Sequence, residues 1–241
     1  MRMCPVFSPT TGPPEPDFSA VAVARMIDIS CVQAQSSETD VRSLAAEALR
    51  GNYIAAHVLP SWLPLLRHLL GTSSTNAGSP VGFPSGGTAT DVKVFEAKWL
   101  IDAGVQEMDI VMNIGLLKSG RHDDTSADLA AVLEAVNGRV PVKVILEVGL
   151  LEGPELEDAA QVALAAGATF LKTGTGWAGV ATDVSHVRRL RAVSGPSVGI
   201  KASGGVRSFA QLRALYAAGA TRFGVNSHFA QVIVKQAGEA R

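Results

Sequence analysis

The chain has 241 residues, 47% of them hydrophobic, with 21 Lys and Arg against 22 Asp and Glu and a formal net charge of −1. A sequence pI near 6.5 leaves no basic field for nucleic acid or an anionic membrane, so any bound anion must be gripped locally. The length and the mean hydropathy of +0.22 suit one α/β barrel or two smaller domains, and no apolar run reaches the roughly 18–20 residues of a membrane span.

The opening "MRMCPVFSPTTGPPEPDFS" is rich in proline and serine and lacks the apolar middle of a signal peptide. Residues 1–19 are therefore expected to form a flexible tail, and 20–241 a single domain. Cys4 and Cys31 make no C-x-x-C pair and no metal spacing, which fits a reducing compartment, the cytoplasm.

From residue 25 onward, short β-rich runs alternate with amphipathic helical ones. The strand candidates are "RMIDIS" (25–30), "YIAAHVL" (53–59), "PVGF" (80–83), "EMDIVMN" (107–113), "VKVILEV" (142–148), "TFLKT" (169–173), "SVGIKAS" (197–203) and "RFGVNS" (222–227). Helical patterns such as "TDVKVFEAKWLIDAG" and "GPELEDAAQVALAAG" lie between them and close on Gly104, Gly138, Gly167 and Gly219, as C-terminal caps would. Eight βα units at this length predict a TIM (β/α)8 barrel, with a doubly wound open sheet as the second choice.

Parallel strands covered on both faces should be nearly all apolar. Asp109, Lys143, Glu147, Lys172 and Lys201 break that rule. Side chains alternate across a strand, so Lys143, Ile145 and Glu147 share a face expected to line the barrel interior. Lys172 and Lys201 lie about one βα unit apart, which puts them at like heights on neighbouring strands. Two buried amines so placed repel each other's protons, and with desolvation this lowers the pKa of one and makes it a nucleophile toward carbonyls.

"GTGWAG" (174–179) matches G-x-G-x-x-G, but residues 190–204 contain no acid to hold a ribose hydroxyl, so a nicotinamide cofactor is not expected. The turns "SGGVR" (203–207) and "GVNSH" (224–228) follow strands seven and eight, where barrels often hold phosphate on backbone N–H groups. Gly204, Gly205, Asn226 and Ser227 are the expected cradle, joined by Gly174, Thr175 and Gly176. The five histidines are scattered without paired ligand spacing, so no metal is expected.

Together, "VGFPSGGTAT", "VFEAK", "EMDIVMNIGLLKSG", "VKVILEVGLL", "FLKTGTGW" and "GIKASGGVRSF" resemble, in order, the blocks of the deoxyribose-phosphate aldolases, from about Ala24 to Gln231. The resemblance implies reversible cleavage of 2-deoxyribose 5-phosphate to glyceraldehyde 3-phosphate and acetaldehyde, with no metal or cofactor. It implies Lys172 as the Schiff-base lysine, Lys201 as the cation beside it and Asp109 as the proton handler, through a water. It also implies that Asp28 and Ser30 contact the substrate or support the site, that the interior Lys143 is among the substrate-binding residues, and that a homodimer is the fitting assembly. Departures from the family pattern are "SCVQAQ" for a "TLLKP"-like segment, Gly174 for a serine, Asn226-Ser227 for a serine pair, and His57 where many members have cysteine. A lone strand histidine reads as structural. The alternatives are the same chemistry on a different or non-phosphorylated acceptor aldehyde, and a non-catalytic barrel that binds a phosphometabolite.

Overall fold

Strand and helix alternate through the chain because apolar residues recur at two-residue steps in the short runs and at three- and four-residue steps in the longer ones. A computed structural model describes residues 16–240. After α1 (Ala20–Ala24) come β1 (Ile27–Cys31) and α2 (Glu38–Gly51), then β2 (Ala55–Val58) and α3 (Leu63–Leu70), then β3 (Asn76–Val81) and α4 (Thr90–Asp102). Next are β4 (Glu107–Val111), a short α5 (Ile114–Lys118) and α6 (His122–Val136), then β5 (Val142–Ile145) and α7 (Glu155–Ala165). The last units are β6 (Phe170–Lys172) and α8 (Val184–Ser194), β7 (Gly199–Ser203) and α9 (Phe209–Ala217), and β8 (Arg222–Val225) and α10 (Ser227–Glu239).

Every strand pairs in parallel with its sequence neighbour, and β8 closes onto β1. That closure is the expected TIM barrel and rules out the open sheet. Helix ends follow local chemistry: Ser37 and Asp40 form a capping box at the start of α2, and the expected stop glycines Gly167 and Gly219 take φ of 99° and 116°. Among the described residues, no helix is long and apolar enough to cross a membrane.

Outward-facing strand residues such as Ile29, Ile110, Leu171 and Phe223 are fully buried beneath the helices. The inward faces carry the charges, interleaved with glycines whose role is space. A Cβ on Gly78 would sit 2.3 Å from the His57 ring, one on Gly199 2.1 Å from Phe170, and one on Gly224 2.5 Å from the Ser203 hydroxyl. Large and small residues thus interlock across neighbouring strands.

Two element boundaries differ from expectation. β3 begins at Asn76, ahead of Pro80. β5 stops at Ile145, because Glu147 takes a left-handed φ of 53° and turns the chain into a 3-10 turn over Val148–Leu150. Glu147 therefore leaves the strand face it was expected to share with Lys143. Of the expected tail, residues 1–15 lie outside the described residues, while Phe18 packs edge-on against Tyr216 and Phe209 at ring-centre distances of 5.1 and 5.9 Å.

Candidate active site

The strand alternation that buries the apolar set against the helices sends Asp28 (β1), His57 (β2), Glu107 and Asp109 (β4), Lys143 (β5), Lys172 (β6), Lys201 (β7) and Arg222 (β8) into the lumen. Lys172 and Lys201 are register partners. Both donate to one oxygen, Asp109 Oδ2, at 2.8 Å each. Lys201 also lies 2.6 Å from Asp28 Oδ2. Below them, Arg222 binds Asp28 and donates to both Glu107 oxygens at 3.0 and 3.1 Å. Lys143 Nζ sits 3.2 Å from Glu107 and 3.5 Å from Asp109 Oδ1.

Charge balance decides how this layer titrates. Asp28, Glu107 and Asp109 are matched by Lys143, Lys201 and Arg222, and Lys172 is the cation left over. Burial works to raise Asp109, but Lys172 and Lys201 overcome it and hold the carboxyl well below the usual range. Burial likewise opposes ionisation of Asp28, and Lys201 with Arg222 prevails. Burial and the nearby Asp28 both push Glu107 upward, yet the hydrogen bond from His57 and the charge of Lys143 bring it down to about 2. Burial would lower Lys201, but Asp109, Asp28 and Glu107 raise it above the ordinary lysine value. Lys172 goes the other way, down to about 8: burial dominates, Asp109 opposes it, and Lys201 adds repulsion. One amine of the pair is a fixed cation. The other is a nucleophile near neutral pH.

Above this layer a small cavity of about 30 Å³ is lined by Asp28, Ser30, His57, Asp109, Lys172 and Lys201, with Phe83 and Thr175 at its sides. It opens into a recess formed by Ser30, Gln33, Thr175, Gly176, Ser203–Arg207 and Asn226. Gly204 and Gly205 hold φ of 99° and 81°, in the left-handed region, which turns backbone groups toward the recess. Asn226 accepts from the Phe229 N–H and caps α10. Glu147 fixes the turn after the reactive lysine by accepting from the Thr175 N–H at 3.0 Å and from its hydroxyl. A Cβ on Gly174 would come 2.8 Å from a Glu147 oxygen, so glycine leaves that carboxylate room to reach Thr175.

Asp28, His57 and Glu107 bring ligand-type atoms within 4.8 Å of one another. Arg222 and Lys201 already lie on those carboxylates, so positive charge is supplied by side chains and the group does not fit a metal.

No protein-family model matches the chain. Curated relatives do. The deoxyribose-phosphate aldolase of Rhizobium meliloti (strain 1021) is 43% identical over 215 residues, covering 89% of this chain and 86% of the relative. That of Klebsiella pneumoniae is 44% identical, covering 84% and 82%. The solved deoxyribose phosphate aldolase of Aeropyrum pernix, described as tetrameric, superposes with a TM-score of 0.81 at 30% identity over 90% and 92% of the two chains. The chain belongs to the deoxyribose-phosphate aldolase family. It is an aldolase, a carbon–carbon lyase.

For this aldolase, the expected residues divide by place. Lys172, Lys201, Asp109, Asp28, Ser30 and Thr175 meet at the cavity, and Gly176, Gly204, Gly205 and Asn226 at the recess. Gly174 packs on Glu147, and Ser227 faces a neighbouring groove with Cys31 and Gln231, so neither lines the recess. Lys143 lies beneath Asp109, closed off from the cavity, and supports the carboxylates from below. His57 is part of the charged layer, with Nε2 2.9 Å from Glu107 Oε1 and Nδ1 3.8 Å from Asp109 Oδ2. Glu107, Arg222 and Arg207 were missed, and alternation offered the signal for two of them: Glu107 stands two residues from Asp109, and Arg222 two from Gly224.

Proposed function

We propose that the enzyme cleaves 2-deoxyribose 5-phosphate reversibly to glyceraldehyde 3-phosphate and acetaldehyde by Schiff-base catalysis on Lys172. The observation that carries this reading is the unequal lysine pair: one amine brought down to about 8 beside another held protonated, both on a single Asp109 oxygen. The neutral Lys172 amine adds to the C1 carbonyl of the open-chain sugar, and loss of water leaves an iminium. Its positive nitrogen draws the C2–C3 bond pair, the C3 half departs as the phosphorylated aldehyde, and the enamine left behind is protonated and hydrolysed to acetaldehyde. Asp109, bridging the two amines, passes protons between them and water while the carbinolamine forms and dehydrates. The phosphate lies in the recess on the Gly204–Gly205 backbone, with Arg207 supplying charge, and Ser30 and Thr175 reach the sugar hydroxyls.

Incubation with 2-deoxyribose 5-phosphate or acetaldehyde followed by borohydride, then peptide mapping, should fix the two-carbon fragment on Lys172. Lys172→Ala should lose both label and turnover. Full activity in that variant would end this reading.

A further inference from the structure

The cavity over the lysines and the recess beyond it differ in size. The inner space is about 30 Å³ and the recess about 190 Å³. At roughly 10–15 Å³ for each water-sized group, the inner space takes two or three heavy atoms, and the recess a molecule several times larger. A sugar phosphate held on Lys172 divides at the bond that breaks: two carbons stay on the amine, and a three-carbon phosphate leaves. The two spaces match the two halves.

So small a volume leaves every lining side chain in contact with whatever fills it. The charged part of the lining is already engaged, with Lys172 and Lys201 on Asp109, and Lys201 and Arg222 on Asp28. The apolar part is Val32 after β1, Pro80 of β3 and Phe83 in the loop that follows β3. Pro80 is buried and stands in register with Asp109. The carbons of the two-carbon fragment lose least free energy on this side.

Phe83 differs from the other two because there is space behind it. Its ring also lines a groove of about 420 Å³ with Pro60, Val92, Phe95 and Trp99, so it is a partition between the catalytic cavity and that groove. The partition is held in place. Trp177, in the turn after Lys172, stands edge-on to the ring at a centre distance of 5.8 Å and an interplanar angle of 87°. The Gly82 N–H donates to the Glu96 carboxylate at 2.8 Å, and the Gly86 N–H to the Gly82 carbonyl at 2.8 Å. A Cβ on Gly86 would strike the Met112 carbonyl, so the loop lies directly on the end of β4.

We infer that Phe83 determines donor specificity: its ring closes the inner cavity at two carbons and shuts a longer aldehyde donor out of the groove on α4. The inference rests on Lys172 as the Schiff-base lysine. A methyl added to the nucleophilic carbon would need space that the ring occupies, and one extra methylene in an apolar pocket is worth roughly 10–200-fold in kcat/KM. Removing the ring joins cavity to groove, and a longer chain then lies along Val92 and Phe95.

The test is aldol addition of acetaldehyde, propanal and butanal to glyceraldehyde 3-phosphate, with kcat/KM measured for each donor. Wild-type enzyme should prefer acetaldehyde over propanal by roughly 10–200-fold. In Phe83→Ala that ratio should shrink by about tenfold or more through a rise in kcat/KM for propanal, and butanal should become a donor as well. Phe83→Leu keeps most of the bulk and should fall between the two. Borohydride trapping of acetaldehyde on Lys172 reports that each variant is folded. A trapping-competent variant whose donor ratio stays within about twofold of wild type overturns the inference, and so does a wild-type enzyme that takes both donors equally. Equal losses on all three donors also overturn it, since the ring would then only support its loop. Failure of wild-type enzyme to trap acetaldehyde at Lys172 refutes the Schiff-base reading itself, and shows before any donors are compared.

Discussion

Lys172 and Lys201 face each other across β6 and β7, yet the lumen drives them in opposite directions. The difference is where the anions stand: Lys201 touches both Asp28 and Asp109, whereas Lys172 touches Asp109 alone. Because the proposed mechanism uses the neutral form of Lys172, kcat/KM should rise with pH and level off above an inflection near 8. Lys201→Met removes a repelling cation and frees Asp109 to act on Lys172 alone. Both changes favour protonated Lys172, so the inflection should move to higher pH and activity at pH 7 should fall. An inflection that stays put or moves down would refute the repulsion account. The pairing was legible from two lysines spaced one βα unit apart, and Asp109 from a charge inside an apolar run. Glu107 and Arg222 went unread because each begins its strand, where a polar residue looks like the edge of a loop. His57 was read without its neighbours, and only closure of the barrel brings three carboxylates around its ring.

The eight strands were legible because each is a short β-rich run between helical patterns. Their ends were not, since β5 is cut short by the backbone turn at Glu147, which leaves no mark in the hydrophobic pattern. A second charged feature belongs to the elements alone. Lys93 of α4, fully buried, donates to Asp128 of α6 at 2.8 Å and to the Val111 carbonyl at 3.1 Å, and Thr90 donates to the other Asp128 oxygen. The pair pins two outer helices to the end of β4, the strand that carries Asp109. Lys93→Met leaves a buried carboxylate with only the Thr90 hydroxyl, and should cost about 3–5 kcal/mol in urea unfolding. A Lys93→Met/Asp128→Leu double variant, having no stranded charge, should recover most of that loss. If the single and double variants were equally destabilised, packing would be the cause and the ion pair incidental.

At the scale of the whole molecule, charge is nearly balanced: the formal net charge is −1, and the charged layer of the lumen exceeds its acids by Lys172 alone. On the proposed reading a phosphorylated substrate is therefore not drawn in by a long-range field, and its charge is read on contact, in the recess of Gly204, Gly205 and Arg207. Arg207 is solvent-facing, with its guanidinium 5.5 Å from the Phe229 ring centre, so it can swing onto a phosphate without leaving a buried partner unsatisfied. Two consequences can be measured together. Arg207→Ala should raise KM for 2-deoxyribose 5-phosphate about tenfold, the scale of one exposed charge-assisted hydrogen bond, and leave kcat/KM for unphosphorylated deoxyribose nearly unchanged. In the wild-type enzyme, kcat/KM for the phosphorylated sugar should fall only a fewfold as salt rises from low to physiological concentration, because the Debye length of about 8 Å screens distant charge but not a contact inside the recess. A steep salt dependence would mean that the phosphate is steered from outside. Equal losses on both sugars in Arg207→Ala would take the phosphate out of that recess and favour an acceptor held by its hydroxyls alone.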